Sequence, residues 1–312
     1  MSDDQWFGAN DCLGDRKIED IIQYLRDVED TELADELAAA QIIADHGAYA
    51  LFQGKTPSRF VHVANICGFL PESGTDGMTA VASANGDADL HGKPLDISLV
   101  GLHVARYPGR GTHTLLFDFG IEPRTKSGSK VFHYSSRFEA KNGETVPVHG
   151  FPLFTGLRLP SDGLVFGFRT INISSSFNET LLDFLGHDEF KNGLSLATLS
   201  NPVLGQVSQM AVSLAGWLAK QSRNATVMQF KQGLSLDAAR LGGGLAPGYY
   251  AVAQIPAAHV LEWQWEEWTI SPTSLTLTQR ANPSEGLDYN HMVFSVQPAK
   301  TDPARSGKQP AA

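Results

Sequence analysis

Apolar residues recur at helical spacing near the start of the chain. Ile18, Ile21, Ile22, Leu25 and Val28 share one face, with Asp15 as the expected N-cap and acidic residues in the first turn. A second face begins at Asp30 or Thr31, carries Leu33, Leu37, Ala40 and Ala44, and stops at His46–Gly47, where glycine takes the left-handed position after the helix. Together these predict an N-terminal helical hairpin. Residues 48–70 show no clean period apart from a short strand at 60–64. From Leu95 the rhythm becomes that of strands separated by turns, with strands predicted at 95–104, 112–119, 131–140, 146–148, 153–157 and 164–173. Helical spacing returns briefly at Leu181, Leu182 and Leu185, and then over 203–220, which is entered at Asn201–Pro202 and carries Val207, Met210, Ala211, Leu214, Trp217 and Leu218. Strands follow at 227–230, 248–255, 261–270, 274–279 and 292–296.

Between the helical and strand-rich parts lies a dense run of turn formers: Gly74, Asp76–Gly77, Asn85–Gly86 and Gly92. The chain therefore divides into a helical region at 1–70, a linker or long loop at 71–93, and a β domain at 94–297 with the helix 203–220 inserted. A disordered Pro-, Lys- and Ala-rich tail is expected at 298–312. The fold class expected is mainly β with helices (α+β): an antiparallel β-sandwich with the helical hairpin in front and one longer helix packed on a sheet. The rhythm of 95–196 is that of a C2-like sandwich, an analogy of architecture alone. In such domains aspartates cluster at loop tips to hold calcium, whereas Asn172, Asn178, Asp183 and Asp188 are scattered here.

Composition agrees with a folded β protein. The 312 residues include 30 Gly and 16 Pro and are only 19% charged, which excludes a disordered chain, a coiled coil and a collagen-like repeat. Lys and Arg number 24 against 34 Asp and Glu, a net charge of −10, so the mean field repels phosphate backbones and nucleic acid is not expected as a partner. Two cysteines, Cys12 and Cys67, make no disulfide framework. The acidic N-terminus lacks the form of a signal peptide, and no apolar run reaches the length of a membrane span. A cytoplasmic setting is the expectation, in which the sequons at Asn172, Asn178 and Asn224 carry no sugar.

Motifs of nucleotide and acyl chemistry fail at required residues. Gly54-Lys55-Thr56 resembles the end of a phosphate-binding loop, but Tyr49 stands where the first glycine is needed. Asp118-Phe119-Gly120 matches the kinase magnesium tripeptide without a glycine-rich loop or catalytic loop before it. Cys67 has His62 only five residues away, and Ser174-Ser-Ser lacks the glycines of a nucleophile elbow. Gly242-Gly-Gly-Leu-Ala-Pro-Gly248 reads as a hairpin connection between strands. No cofactor is expected.

Two constellations remain. Trp263, Trp265 and Trp268 lie in one segment, and a strand there projects Trp263 and Trp265 from the same face, either as a binding surface or packed between the sheet and the 203–220 helix. His103 and His113 flank a hairpin-like turn at Tyr107-Pro-Gly-Arg-Gly with Asp118 on the returning strand, a His/His/Asp set suited to a metal if the three converge. The expected function is a non-enzymatic, regulatory or protein-binding component of a cytoplasmic multiprotein system. It would act through Trp263, Trp265 and Trp268, and through Ile21, Leu25 and Leu37 if the helical hairpin docks a partner. The alternatives are a metal-dependent enzyme at His103, His113 and Asp118, or a carbohydrate-binding module; membrane-surface binding ranks below both.

Overall fold

The computed structural model describes residues 12–45, 63–72, 74, 77–123, 130–159, 163–173, 193–196, 202–219, 224–237 and 242–299. Gly54–Thr56, His62, Ser174–Ser176, Asn178, Asp183, Asp188, the predicted helical turn at 181–185 and the tail from 300 onward lie outside these residues. The helices are α1 (Ile18–Asp27), α2 (Thr31–Asp45) and α3 (Pro202–Ala219). The strands are β1 (Val63–Pro71), β2 (Thr79–Ala80), β3 (Pro94–Val104), β4 (Thr112–Pro123), β5 (Phe132–Lys141), β6 (Glu144–Val146) and β7 (Phe151–Arg158). They continue with β8 (Leu164–Ile173), β9 (Leu194–Ser195), β10 (Ala225–Leu234), β11 (Gly248–Pro256), β12 (Trp268–Ile270), β13 (Leu277–Gln279) and β14 (His291–Pro298).

The chain is mostly β, in two principal sheets. The larger runs β2-β1-β11-β14-β3-β7-β9 with β6 also on β3, the smaller runs β10-β8-β4-β5, and β12 and β13 form a separate pair. Among the described strands every ladder is antiparallel except the short parallel one of β7 with β9. Strict alternation on β4 sends Leu115, Phe117, Phe119 and Ile121 to one face and Leu116 and Asp118 to the other. The first face meets the larger sheet: Phe119 lies 5.4 Å from Phe294 and 6.1 Å from Phe154, and Phe166 lies 4.8 Å from Phe294, all ring centroid to centroid. These are offset or edge contacts, the arrangements that aromatic quadrupoles favour. The second face of the small sheet is covered by α3, whose Ala215 and Leu218 pack on Leu116, Ile171 and Ile173.

The N-terminal helices join the same core through Ile21, Ile22, Leu25, Leu33 and Leu37. Asp15 does not cap α1. It closes a 3-10 turn, Leu13–Asp15, and the helix starts after Lys17 with no side-chain cap. Asp30, in the turn between α1 and α2, is buried and accepts from Arg106 Nη2 at 3.2 Å and from the Gly109 amide at 3.1 Å, which ties the hairpin to the 105–111 turn.

Several connections differ from their sequence reading. The turn at 107–111 is not a hairpin, because β3 belongs to the large sheet and β4 to the small one. The glycine run 242–248 likewise carries the chain from β10 in the small sheet to β11 in the large one. Gly243 has φ of +117°, and a Cβ there would lie 2.6 Å from the Val81 carbonyl oxygen, so close backbone approach explains the glycines. Within the stretch read as a linker or long loop, 71–93, the described residues carry β2 and two 3-10 turns, and β1 before it pairs with β11 along its whole length. The strand expected over 261–270 is irregular up to the 3-10 turn Trp265–Glu267, which is followed by the three residues of β12. Trp265 and Trp268 are three apart, and a 3-10 turn eclipses residues at that spacing, whereas a pleat would send them to opposite faces. No described helix is long and apolar enough to cross a membrane.

Candidate binding site

A row of small residues crosses the outer face of the large sheet. Register pairs Ala80 with Gly68, Gly68 with Ala251, and Ala251 with Val293. The Trp265 ring lies on this row: a Cβ on Gly68 would sit 2.5 Å from Trp265 Cδ2. Trp265 and Trp268 are 4% and 9% exposed, in a satellite core with Leu70, Met78, Ala253, Leu277 and Val293. The partner of the tryptophans is thus the large sheet and not α3, which covers the other sheet. Trp263 stacks on Trp268 at 5.3 Å with the planes 4° apart and meets Trp265 at 5.6 Å and 74°.

Trp263 and Trp268 form part of a cavity of about 460 Å³, within the roughly 300–1,000 Å³ of small-ligand sites. Val63 and Pro256 from the strand ends supply apolar wall, Gln254 and Asn290 polar wall, and Glu285, Asp288 and Tyr289 come from the loop before β14. Trp263 is half-buried, and its Nε1 is buried with no hydrogen-bond partner. The two amides are committed: Gln254 Nε2 donates to Val227 O at 2.7 Å, and Asn290 Nδ2 donates to Gln254 Oε1 at 3.1 Å and to Arg106 O at 3.0 Å. Asn290 Oδ1 accepts from the Arg106 amide at 3.0 Å. Glu285 and Asp288 are exposed, and Asn282 Nδ2 donates to Glu285 Oε2 at 3.4 Å.

The other residues singled out in the sequence are placed elsewhere. Ile21 and Leu25 are fully buried and Leu37 is 2% exposed, so these three side chains are spent against the body of the protein. His103, His113 and Asp118 do not converge. His103 lies in the large sheet beside Thr145 and His291, while His113 and Asp118 stand five residues apart on β4 and so face opposite sides. Among the described residues, no group of three His, Cys, Asp or Glu side chains is placed to hold a metal ion. Cys12 and Cys67 are free and buried; burial pushes the Cys12 thiol up to about 11 and the Cys67 thiol upward as well, which leaves both poor nucleophiles.

Asp118 anchors a different cluster. Its cross-strand neighbours on the small sheet are Ser135 and Arg169, and His133 lies diagonally along β5. Asp118 Oδ1 accepts from His133 Nδ1 and Ser135 Oγ, and Oδ2 from Arg169 Nε, each at 3.2 Å. Burial alone would push this carboxyl up. The charge and hydrogen bond of His133, the Arg169 guanidinium and the Ser135 hydroxyl outweigh it and hold the group below the ordinary carboxylate value. The His133 amide donates to Ser208 Oγ of α3 at 2.7 Å. With Asp118, His133 and Arg169 at 0%, 1% and 3% exposure, the cluster is sealed beneath the helix and serves structure.

His291 fastens the tryptophan-bearing pair β12–β13 to the large sheet. Its Nδ1 donates to Tyr289 O at 2.8 Å and its Nε2 accepts from the Leu277 amide at 3.2 Å, so both bonds require the neutral ring. Burial first, and then the neighbouring His103, push its pKa down from 6.5 to about 3. His113 is lowered too, mainly by burial. A depressed histidine stabilises the fold fully above the unfolded value and progressively less as pH falls below it, because only the unfolded chain takes up the proton. Denaturant midpoints should therefore be level above pH 6.5 and decline towards pH 4, with His291 alone contributing about 1.4 kcal/mol per pH unit. His291→Gln should make that decline shallower, and an unchanged slope would remove His291 as its source.

Of the residues singled out in the sequence, Trp263 and Trp268 line the cavity and Trp265 does not; Glu285, Asp288, Tyr289, Gln254 and Asn290, which also line it, were not singled out. Gln254 gave one signal, a polar residue inside the apolar run of β11; the others lie in a turn-rich stretch with no period. No protein-family model matches the chain, no curated protein matches it, and no solved structure matches it.

Proposed function

We propose that the chain is a non-enzymatic binding component of a multiprotein system, holding a partner protein at the tryptophan-lined cavity. The observation that carries this reading is the cavity itself: an open aromatic wall with a carboxylate rim, built by 257–290 on the outer face of the large sheet. It gains support from the state of the reactive groups, since the Asp118 cluster is sealed and both described thiols are pushed away from reactivity. The two free, buried cysteines suit a reducing, cytoplasmic setting. The architecture we assign is a two-sheet sandwich of the C2-like kind, on the ground that both sheets contribute rings to one core. The helical hairpin in this reading stabilises the body, and the binding role rests on the cavity.

Co-purification of the full chain from its host tests the proposal. A protein retained at fixed ratio by the wild type and lost with both Trp263→Ala and Glu285→Lys, at unchanged thermal midpoints, is the expected result. Retention by both variants, or a substrate turnover that survives them, would overturn it.

A further inference from the structure

The main chain at 285–287 presents a hydrogen-bonding edge at the cavity. Thr278 and Gly286 face each other across an antiparallel bridge. The bonds that frame it run from the Gln279 amide to Glu285 O at 3.0 Å and from the Leu287 amide to Leu277 O at 2.9 Å. In an antiparallel ladder a residue framed by such a pair turns its own N–H and C=O to the opposite side. Gly286 therefore points both groups away from β13; the residue is exposed, and no described group hydrogen-bonds either of them. The segment is in effect a third strand on the β12–β13 pair, with an open outer edge.

Gly286 also lines the cavity and, having no side chain, contributes main chain to its wall. Val63, Pro256, Trp263 and Trp268 supply apolar surface around the same space. An extended polypeptide suits this combination. Its backbone carries an N–H and a C=O at strand pitch, which meet the acceptor and the donor of one edge residue together, and its alternate side chains fall on one face. We propose that the partner protein is recognised as an extended segment that adds to the 285–287 edge as a strand, bonding the Gly286 amide and carbonyl through its own backbone and laying an apolar side chain against Trp263 and Trp268. The proposal rests on the binding role given above and states the form in which the partner is held.

Selection of a random twelve-residue display library on the immobilised full chain provides the probe. Enriched linear peptides that lose binding to Trp263→Ala are expected. Gly286→Pro deletes an N–H that lies outside the ladder, so it should weaken the selected peptide about ten-fold at unchanged thermal midpoint. Gly286→Ala keeps that N–H, and its Cβ would meet only Leu277 O at 3.9 Å, so binding should stay within a few-fold of wild type. N-methylation of the peptide, one amide at a time, should abolish binding at one position and spare its neighbours, a test on the wild-type chain that holds even if the proline variant fails to fold. Failure to enrich a peptide dependent on Trp263, a binder that tolerates every N-methylation, or one that binds as a helix would overturn strand addition. A Gly286 amide already slow to exchange in the free chain would overturn the partner assignment, giving the edge to a second copy if dilution frees it and to another segment of this chain if not. A co-purifying protein lost with Trp263→Ala but kept by Gly286→Pro would end strand addition and leave the binding role standing.

Discussion

Asp118→Asn should lower the free energy of unfolding by about 3–5 kcal/mol, the range for breaking a buried ion cluster from one side. The side chain keeps its size, so no cavity opens. What changes is that Arg169 and His133 then face a neutral amide while remaining fully buried. One amide oxygen cannot accept from both sides of the former carboxylate, and the amide nitrogen presents a donor to donors. The penalty is present at neutral pH because the folded carboxyl lies below its ordinary value of 3.8, so the wild-type advantage holds above that pH and fades only beneath it. Urea unfolding at pH 7.5 provides the measurement. A loss under about 1 kcal/mol would mean that water or another group reaches the cluster. Asp118→Leu combined with Arg169→Met should recover much of the loss, since apolar residues of similar volume often replace a buried pair at little cost.

Trp265→Ala should cost a comparable amount, about 3–5 kcal/mol, because a buried indole leaves both its transfer energy and an unfilled space behind. Its partner across the contact gives an internal control. Gly68→Ala places a methyl group where the ring now lies, and overpacking of this kind costs about 1–3 kcal/mol. In the Trp265→Ala background the same glycine substitution should cost almost nothing, a coupling that a double-mutant cycle reads directly. If Gly68→Ala were equally harmful with and without the ring, the need for glycine would lie in the backbone of β1 and not in the tryptophan above it.

The parts of the fold that announce themselves in sequence are those whose side chains repeat. Strands β3, β4, β8 and β11 and helix α3 fall within a few residues of their predicted bounds, because alternation or a 3.6-residue period over eight or more positions leaves little freedom. Sheet membership was not legible. The turns at 107–111 and 242–248 contain the residues of hairpin loops, yet both cross between sheets, since glycine permits positive φ without specifying which strand receives the ladder bonds. Parity alone could have separated His113 from Asp118, as an offset of five puts strand residues on opposite faces. Of the site, the tryptophans were visible by their rarity, but their orientation was not, because a 3-10 turn replaces the pleat at 265–267. The carboxylates arrive from a stretch whose polar composition resembles any surface loop, and only its pairing with β13 and proximity to the end of β11 bring it to the indoles.

Asn290 gives the molecule an arch. Its amide spans from Gln254 at the cavity floor to the backbone of Arg106, and Arg106 in turn grips Asp30 between the two N-terminal helices. Three regions remote in sequence thereby lean on a single keystone. The helices are thereby an abutment of the cavity, and whatever loosens them slackens its floor from the far side.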